Sequence, residues 1–311
     1  MRRRQMLSAG AALVLERALA AGGVGGALGL LARRARAETP PSSELVQHDL
    51  ELEGDRRIAR RALVLEPAQR SGDAELSILI LLHGLGEMGN ETLGIHAWGE
   101  RYGLVRAYER LRQPPIERIL PKKRYLTDEH RARLNESLKR RPFGGLVLVC
   151  PVTPHPSRSG PTARTLAAYA DWIEGELLPK VRRQVPRAGR RVGLDGCSLG
   201  GYVSWEVFLR KPELFASVGS IQAAIGQAAA PEYARRIAAA IEKVGPRPIH
   251  LESSTQDPYR KANERLHREL AALGVPSALS VPPGPHDQPW LREVGTLELL
   301  LWHERQLGAR P

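Results

Sequence analysis

The spacing of apolar positions changes period many times along this chain, and each change marks an element. Short, nearly unbroken apolar runs fall at 75–82 and 145–150, as expected of strands covered on both faces. Looser apolar and β-branched runs at 45–52, 58–65, 191–194, 215–221, 248–253 and 275–281 read as six further strands, the first two folding about Glu53-Gly54-Asp55 as an antiparallel hairpin. Helical spacing intervenes. Leu166, Tyr169, Ala170, Ile173, Leu177 and Val181 recur on one face over 162–183. Leu266, Leu270 and Leu273 do so over 262–273, and Leu291, Val294, Leu297 and Leu301 in the last stretch. Residues 199–209 and 231–244 also read as helices, the second with Pro231 at its start. Strand–helix alternation after residue 145 predicts an α/β fold: a doubly wound, mostly parallel sheet of eight strands with helices on both faces.

Three stretches break the pattern. Residues 38–44 form a Pro- and Ser-bearing linker. Residues 104–142 are polar and strongly basic, with Lys122-Lys123-Arg124 and Lys139-Arg140-Arg141, and read as an insertion holding a short helix or two. It is expected either over the entrance to a site or as a solvated surface excursion. Residues 152–161 form a Pro-rich loop after a strand, where ligands usually meet such sheets; His155 there reads as a loop or substrate-side residue.

The amino terminus has its own logic. Arg3-Arg4 precedes an Ala/Gly/Leu-rich tract that runs to Leu31 and is followed by Ala35-Arg36-Ala37, a small-x-small site. This is the pattern of a twin-arginine export signal over 1–37 with cleavage after Ala37, so the mature domain, 45–308, is expected to be exported, periplasmic or secreted. The uninterrupted run from Ala18 to Leu31 is too short for a comfortable membrane span, and no stable span is expected after cleavage.

Composition narrows the partners. The chain has 311 residues, 42% hydrophobic and 26% charged, enough for one large domain with a sizeable core. The formal charge of +12 is inflated by the first 37 residues, which hold seven Arg against one Glu, so without them it falls to +6. Aromatics are only 5% and do not interleave with basic residues, which argues against nucleic acid. Cys150 and Cys197 give neither a disulfide framework nor ligand spacing, and no H-E-x-x-H is present, so no metal and no cofactor is expected.

Candidate chemistry centres on Gly196-Cys197-Ser198-Leu199-Gly200, a G-x-S-x-G between a strand and a helix. A chain that reverses so sharply holds its serine in strained φ/ψ, and Gly196 and Gly200 let strand and helix approach. The helix start offers free N–H groups and a positive dipole end to an oxyanion. A second donor is expected after the apolar run 75–82, which ends in His83-Gly84. There Gly84 permits close backbone approach and Leu85 N–H joins Leu199 N–H in an oxyanion hole. Gly84-Leu85-Gly86-Glu87-Met88-Gly89 also matches the dinucleotide fingerprint. That reading is rejected because Gly94, Gly99 and Gly103 are expected to spoil the helix it needs, and because two strands come earlier.

A serine hydroxyl needs a base and an orienting carboxylate. His286, in a loop after the last strand, fits the base. Asp257, just past the preceding strand, fits the orienter. Asp287, Asp195 and Glu252 are poorer orienters: the first adjoins the histidine and the others lie on strands. The order Ser198, Asp257, His286 is that of α/β-hydrolases.

These motifs, with Phe215, the run Asp257…Asn263…Leu266…Leu270 and Gly284-Pro285-His286-Asp287…Trp290, resemble the esterase group of α/β-hydrolases. That group includes esterase D, feruloyl and acetyl xylan esterases and the mycolyltransferases. The resemblance covers residues 45–305 and implies Ser198, Asp257 and His286 as a triad. The chain departs from the group in its basic insertion and in Pro285, where a second Gly is usual. The function expected is a serine esterase acting through an acyl-enzyme on a small-molecule or polysaccharide-linked ester. An acyltransferase of the mycolyltransferase type and a non-catalytic binding protein on the same fold are the alternatives.

Overall fold

A computed structural model describes residues 44–68, 75–155 and 162–308; the expected export signal and nearly all of the linker lie outside the described residues. The chain opens with strands β1 (Leu45–Glu51), β2 (Arg61–Pro67) and β3 (Leu76–Leu82). A 3₁₀ turn (Leu85–Glu87) leads into helix α1 (Glu91–His96), which runs on through a π turn (Ala97–Arg101), and then α2 (Leu104–Arg112) and α3 (Asp128–Arg140). After β4 (Val147–Pro151) come α4 (Thr162–Trp172), a π turn (Ile173–Leu177) and α5 (Leu178–Gln184). Then follow β5 (Ala188–Gly196), α6 (Leu199–Phe208), β6 (Ser217–Ile221), α7 (Ala230–Val244), β7 (Ile249–Glu252), α8 (Arg260–Ala272) and β8 (Ala278–Ser280). The chain closes on helical turns through Gln288–Trp290 and Leu291–Gly295 and the helix α9 (Thr296–Leu307).

The eight strands form one sheet in the order β1-β2-β4-β3-β5-β6-β7-β8. β1 and β2 pair antiparallel, β2 meets β4 antiparallel, and every later pairing is parallel. The expected mostly parallel α/β sheet is therefore what forms. Alternation along the strands sorts the core into two layers. Ile78, Ile80, Leu82, Val147, Val149 and Leu194 join one cluster with α4, α6, α7 and α8; Leu79, Leu81, Leu148 and Cys150 face the other, with α1, α2, α3 and α9. Among the described residues no helix is long and apolar enough to cross a membrane.

Four local expectations need correcting. β2 starts three residues later than the apolar pattern suggests, because Ile58 and Ala59 donate to Asp55 O at 2.7 and 3.1 Å and are used up in a turn. The last strand contracts to Ala278–Ser280, because Val275 N–H still donates to Leu270 O at 2.9 Å at the end of α8 and Pro276 has no N–H for a ladder. Gly94 and Gly99 do not break the segment after β3: Asn90 Oδ1 caps α1 by accepting from Leu93 N–H at 3.1 Å, and both glycines lie within helical turns. Gly94 is there for space, since a Cβ would lie 2.7 Å from His83 Nε2.

The fourth concerns the basic stretch 104–142, which is not a solvated excursion. Its helices α2 and α3 bury Leu104, Tyr108, Leu111, Leu134 and Leu138 in the second core layer. Its connecting loop is tied to the carboxyl-terminal region through Glu293, which accepts from Ile119 N–H and Leu120 N–H. The charges ride on the outer faces of an element that completes the fold.

Candidate active site

Ser198 stands between β5 and α6 with φ 55° and ψ −118°, a conformation that side-chain-bearing residues rarely adopt. Its neighbours hold it there. Ser198 N–H donates to Ile221 O at 2.8 Å and Ser198 O accepts from Ala224 N–H at 2.9 Å, so the serine is pinned to the loop after β6. The turn depends on two glycines. A Cβ on Gly200 would lie 2.2 Å from Leu82 O, and one on Gly196 would lie 2.5 Å from Gly200 O. Both obstacles are backbone, so neither position admits a side chain.

Gly84 lies beside the serine: a Cβ there would be 3.6 Å from Ser198 Cβ and 3.3 Å from Tyr102 Oη. The N–H groups of Leu85 and Leu199 open the 3₁₀ turn and α6, and among the described residues neither donates to an acceptor. Unspent N–H groups at two helix starts flanking one serine form a place for negative oxygen.

Asp257 follows β7 and His286 follows β8. Asp257 Oδ1 accepts from His286 Nδ1 at 2.8 Å and from Tyr259 N–H at 3.0 Å, and Oδ2 accepts from Ser253 Oγ at 2.6 Å. The Asp257 side chain is fully buried while that of His286 is 26% exposed. With Nδ1 as the donor to a carboxylate, Nε2 is left as a proton acceptor. Two of the rejected orienters are occupied elsewhere. Asp287 caps the following turn through Trp290 N–H at 2.8 Å, and Asp195 accepts from His303 Nε2 at 2.9 Å. The structure brings Asp257 and His286 together. It does not close a hydrogen bond from His286 to the serine: among the described residues Ser198 Oγ makes no hydrogen bond. Such contacts often tighten only when substrate binds.

Three residues that no catalytic motif assigns a role join these parts. Gln222, with φ 49°, opens the loop that pins Ser198, and its Nε2 donates to Ser254 Oγ at 2.8 Å and to Pro285 O at 3.1 Å. It thus ties the serine's loop to the residue before His286. Tyr102 Oη accepts from Gly84 N–H at 3.2 Å and donates to Glu87 Oε2 through a short hydrogen bond. Glu87 also accepts from Arg101 at 3.2 Å and from Gln288 Nε2 at 3.4 Å, two residues past His286. Glu87 lies within the glycine-rich turn after β3, while Gln222 and Tyr102 are set by tertiary contact alone.

Burial tunes the surroundings. His83 is fully buried and its pKa is lowered to about 4 by desolvation, against a hydrogen bond with Gly84 O. Its Nε2 accepts from Thr153 N–H at 2.9 Å, so the neutral ring holds the turn to the loop after β4. Cys150 and Cys197 are free and buried, and burial pushes both thiols up. Among the described residues no group of three or more His, Cys, Asp or Glu side chains is arranged to hold a metal ion.

Comparison with known proteins agrees with this architecture. Residues 153–274 match the family model described as "Putative esterase". A ferulic acid esterase superposes with a TM-score of 0.59 at 16% identity, covering 85% of this chain and 98% of that one. An S-formylglutathione hydrolase from Staphylococcus aureus gives 0.56 at 17% identity, covering 85% and 98%. One from Agrobacterium tumefaciens gives 0.56 at 14%, covering 85% and 96%. At such identities these structures share the fold. No curated protein matches the sequence. The family match covers 153–274, and the shared fold extends over 85% of the chain, so the chain is similar to esterases in that segment and in its α/β architecture.

Proposed function

We propose that the chain is a serine esterase in which Ser198, His286 and Asp257 act as a triad through an acyl-enzyme. The observation that carries the reading is the 2.8 Å hydrogen bond between His286 Nδ1 and Asp257 Oδ1, made by loops at the same sheet end as the strained serine. In this reading Ser198 Oγ attacks the ester carbonyl and passes its proton to His286 Nε2. Asp257 stabilises the imidazolium, and Leu85 and Leu199 N–H groups hold the oxyanion. The imidazolium returns the proton to the departing alcohol. Water, deprotonated by the same ring, then attacks the acyl-serine and releases the acid.

The substrate class is an ester of a small molecule or of a polysaccharide-linked acyl group; the ferulic acid esterase among the similar structures is consistent with the latter. The test is fluorophosphonate labelling together with p-nitrophenyl acetate hydrolysis. Labelling at Ser198, and a loss of turnover on the order of a million-fold in Ser198→Ala, are expected. Wild-type hydrolysis by that variant overturns the triad. Export by the twin-arginine route is part of the same proposal. It rests on Arg3-Arg4 and Ala35-Arg36-Ala37, and retention of an Arg3→Lys/Arg4→Lys variant in the cytoplasm checks it.

A further inference from the structure

β6 ends at Ile221, and the next residue leaves the sheet in a conformation that side-chain-bearing residues avoid: Gln222 has φ 49°. It is buried, and its backbone N–H donates to Glu252 O at 2.6 Å, at the end of β7. Both hydrogens of its amide are used, one on Ser254 Oγ at 2.8 Å and one on Pro285 O at 3.1 Å. The turn alone would favour glycine, which takes a positive φ with less strain. What distinguishes glutamine here is the pair of bonds its amide makes.

Those bonds join the two halves of the site. On one side, Ile221 O accepts from Ser198 N–H and Ala224 N–H donates to Ser198 O, so residues 221–224 grip the serine twice. On the other side, Pro285 precedes His286 and has no N–H, so its carbonyl is the backbone group by which it can be held. The loop carrying His286 is fastened to the Asp257 loop separately. Thr255 N–H donates to Pro282 O at 3.1 Å, Gln256 N–H to Gly284 O at 2.9 Å and Gly284 N–H to Thr255 Oγ1 at 3.2 Å. These three bonds keep the imidazole beside Asp257 but do not reach the serine. Gln222 spans that gap.

We infer that Gln222 is a positioning residue: it sets the approach of His286 to Ser198 by clamping the carbonyl before the histidine to the segment that grips the serine. The inference rests on the proposed Ser198, His286 and Asp257 triad. A misplacement of about 1 Å between reacting groups can lose about a hundredfold in rate, so the clamp acts on kcat without touching substrate.

Gln222→Met in the full chain is the test. Methionine keeps the length of the side chain but donates nothing, and Ser254 Oγ still donates to Pro285 O at 3.1 Å, so that carbonyl keeps a partner. With p-nitrophenyl acetate, kcat is expected to fall about 10–100-fold while KM stays within about twofold. Fluorophosphonate labelling of Ser198 should slow by the same factor. The midpoint of the pH profile of kcat/KM should stay where it is, because the bond between Asp257 and His286 is kept. A purely structural role would instead shrink the fraction of enzyme labelled and leave its labelling rate unchanged. Ser254→Ala is the companion, since it removes the second anchor of the Gln222 amide; a fall in kcat of about threefold or more is expected, and this variant decides alone if Gln222→Met does not fold. Wild-type kcat in either folded variant, a rise in KM alone, or a kcat loss equal to the loss of labelled enzyme would overturn the assignment. Activity in Ser198→Ala would overturn the triad itself, a result that neither of these variants can produce.

Discussion

The hydroxyl of Tyr102 accepts a hydrogen bond from Gly84 N–H at 3.2 Å, and through it a side chain outside any catalytic motif holds the turn that presents Leu85 N–H. Tyr102 is 3% exposed, so removing its hydroxyl leaves a buried N–H without an acceptor and Glu87 Oε2 without its donor. Tyr102→Phe is expected to cost about 1–3 kcal/mol in urea denaturation. If the turn supplies an oxyanion donor, kcat should fall about tenfold or more while KM changes little, since the contact matters most in the transition state. A rise in KM at constant kcat would place Tyr102 in substrate binding instead.

Asp257→Asn tests the orienting role directly. The amide keeps the shape but places an N–H where His286 Nδ1–H now donates, so the ring is driven toward the wrong tautomer. A loss in kcat on the order of ten-thousand-fold is expected, with a parallel slowing of fluorophosphonate labelling. A loss under tenfold would mean that another group orients the imidazole.

Glycine substitutions separate the tight turn from its tolerant neighbours. Gly200→Ala must drive a Cβ into Leu82 O and should destabilise the protein by about 3 kcal/mol or more, abolishing labelling of Ser198 even where the chain still folds. Gly99→Ala meets nothing within 4 Å and sits in a helical turn, so a gain of about 0.5–1 kcal/mol is expected. Equal melting temperatures for the two variants would contradict the packing described at the elbow.

Acid should loosen the fold through His83. Its pKa is depressed from 6.5 to about 4 by burial, so between those values the unfolded chain binds a proton that the native ring refuses. The stabilisation is complete above pH 6.5 and is lost as pH falls toward 4, up to about 3 kcal/mol from this group. Denaturant midpoints measured from pH 7.5 to 4.5 should fall over that window. A ring of His83 that protonates near pH 6.5 by NMR, with no loss of stability, would exclude this account.

Much of this protein is written in local order. Unbroken apolar runs at β3 and β4 could only be strands covered on both faces, and the Ser198 turn was legible because a strand, small residues and a helix stood in the right succession. Asp257 and His286 were readable as loop residues after two late strands, since the loops at the carboxyl ends of parallel strands are where side chains converge on one rim of a sheet. Other features have no local signature. The basic stretch 104–142 reads as surface because charge dominates its composition, yet its sparse leucines and Tyr108 lie on inward faces and complete a core layer. Tyr102, Glu87 and Gln222 join the site only because distant segments pack together. The sequence by itself determined the alternation of elements and the strained serine turn, because periodicity and backbone sterics act over a few residues. Which polar groups meet, and which stay buried and unpaired, was decided by tertiary structure, because desolvation and hydrogen bonding depend on what lies across space and not along the chain.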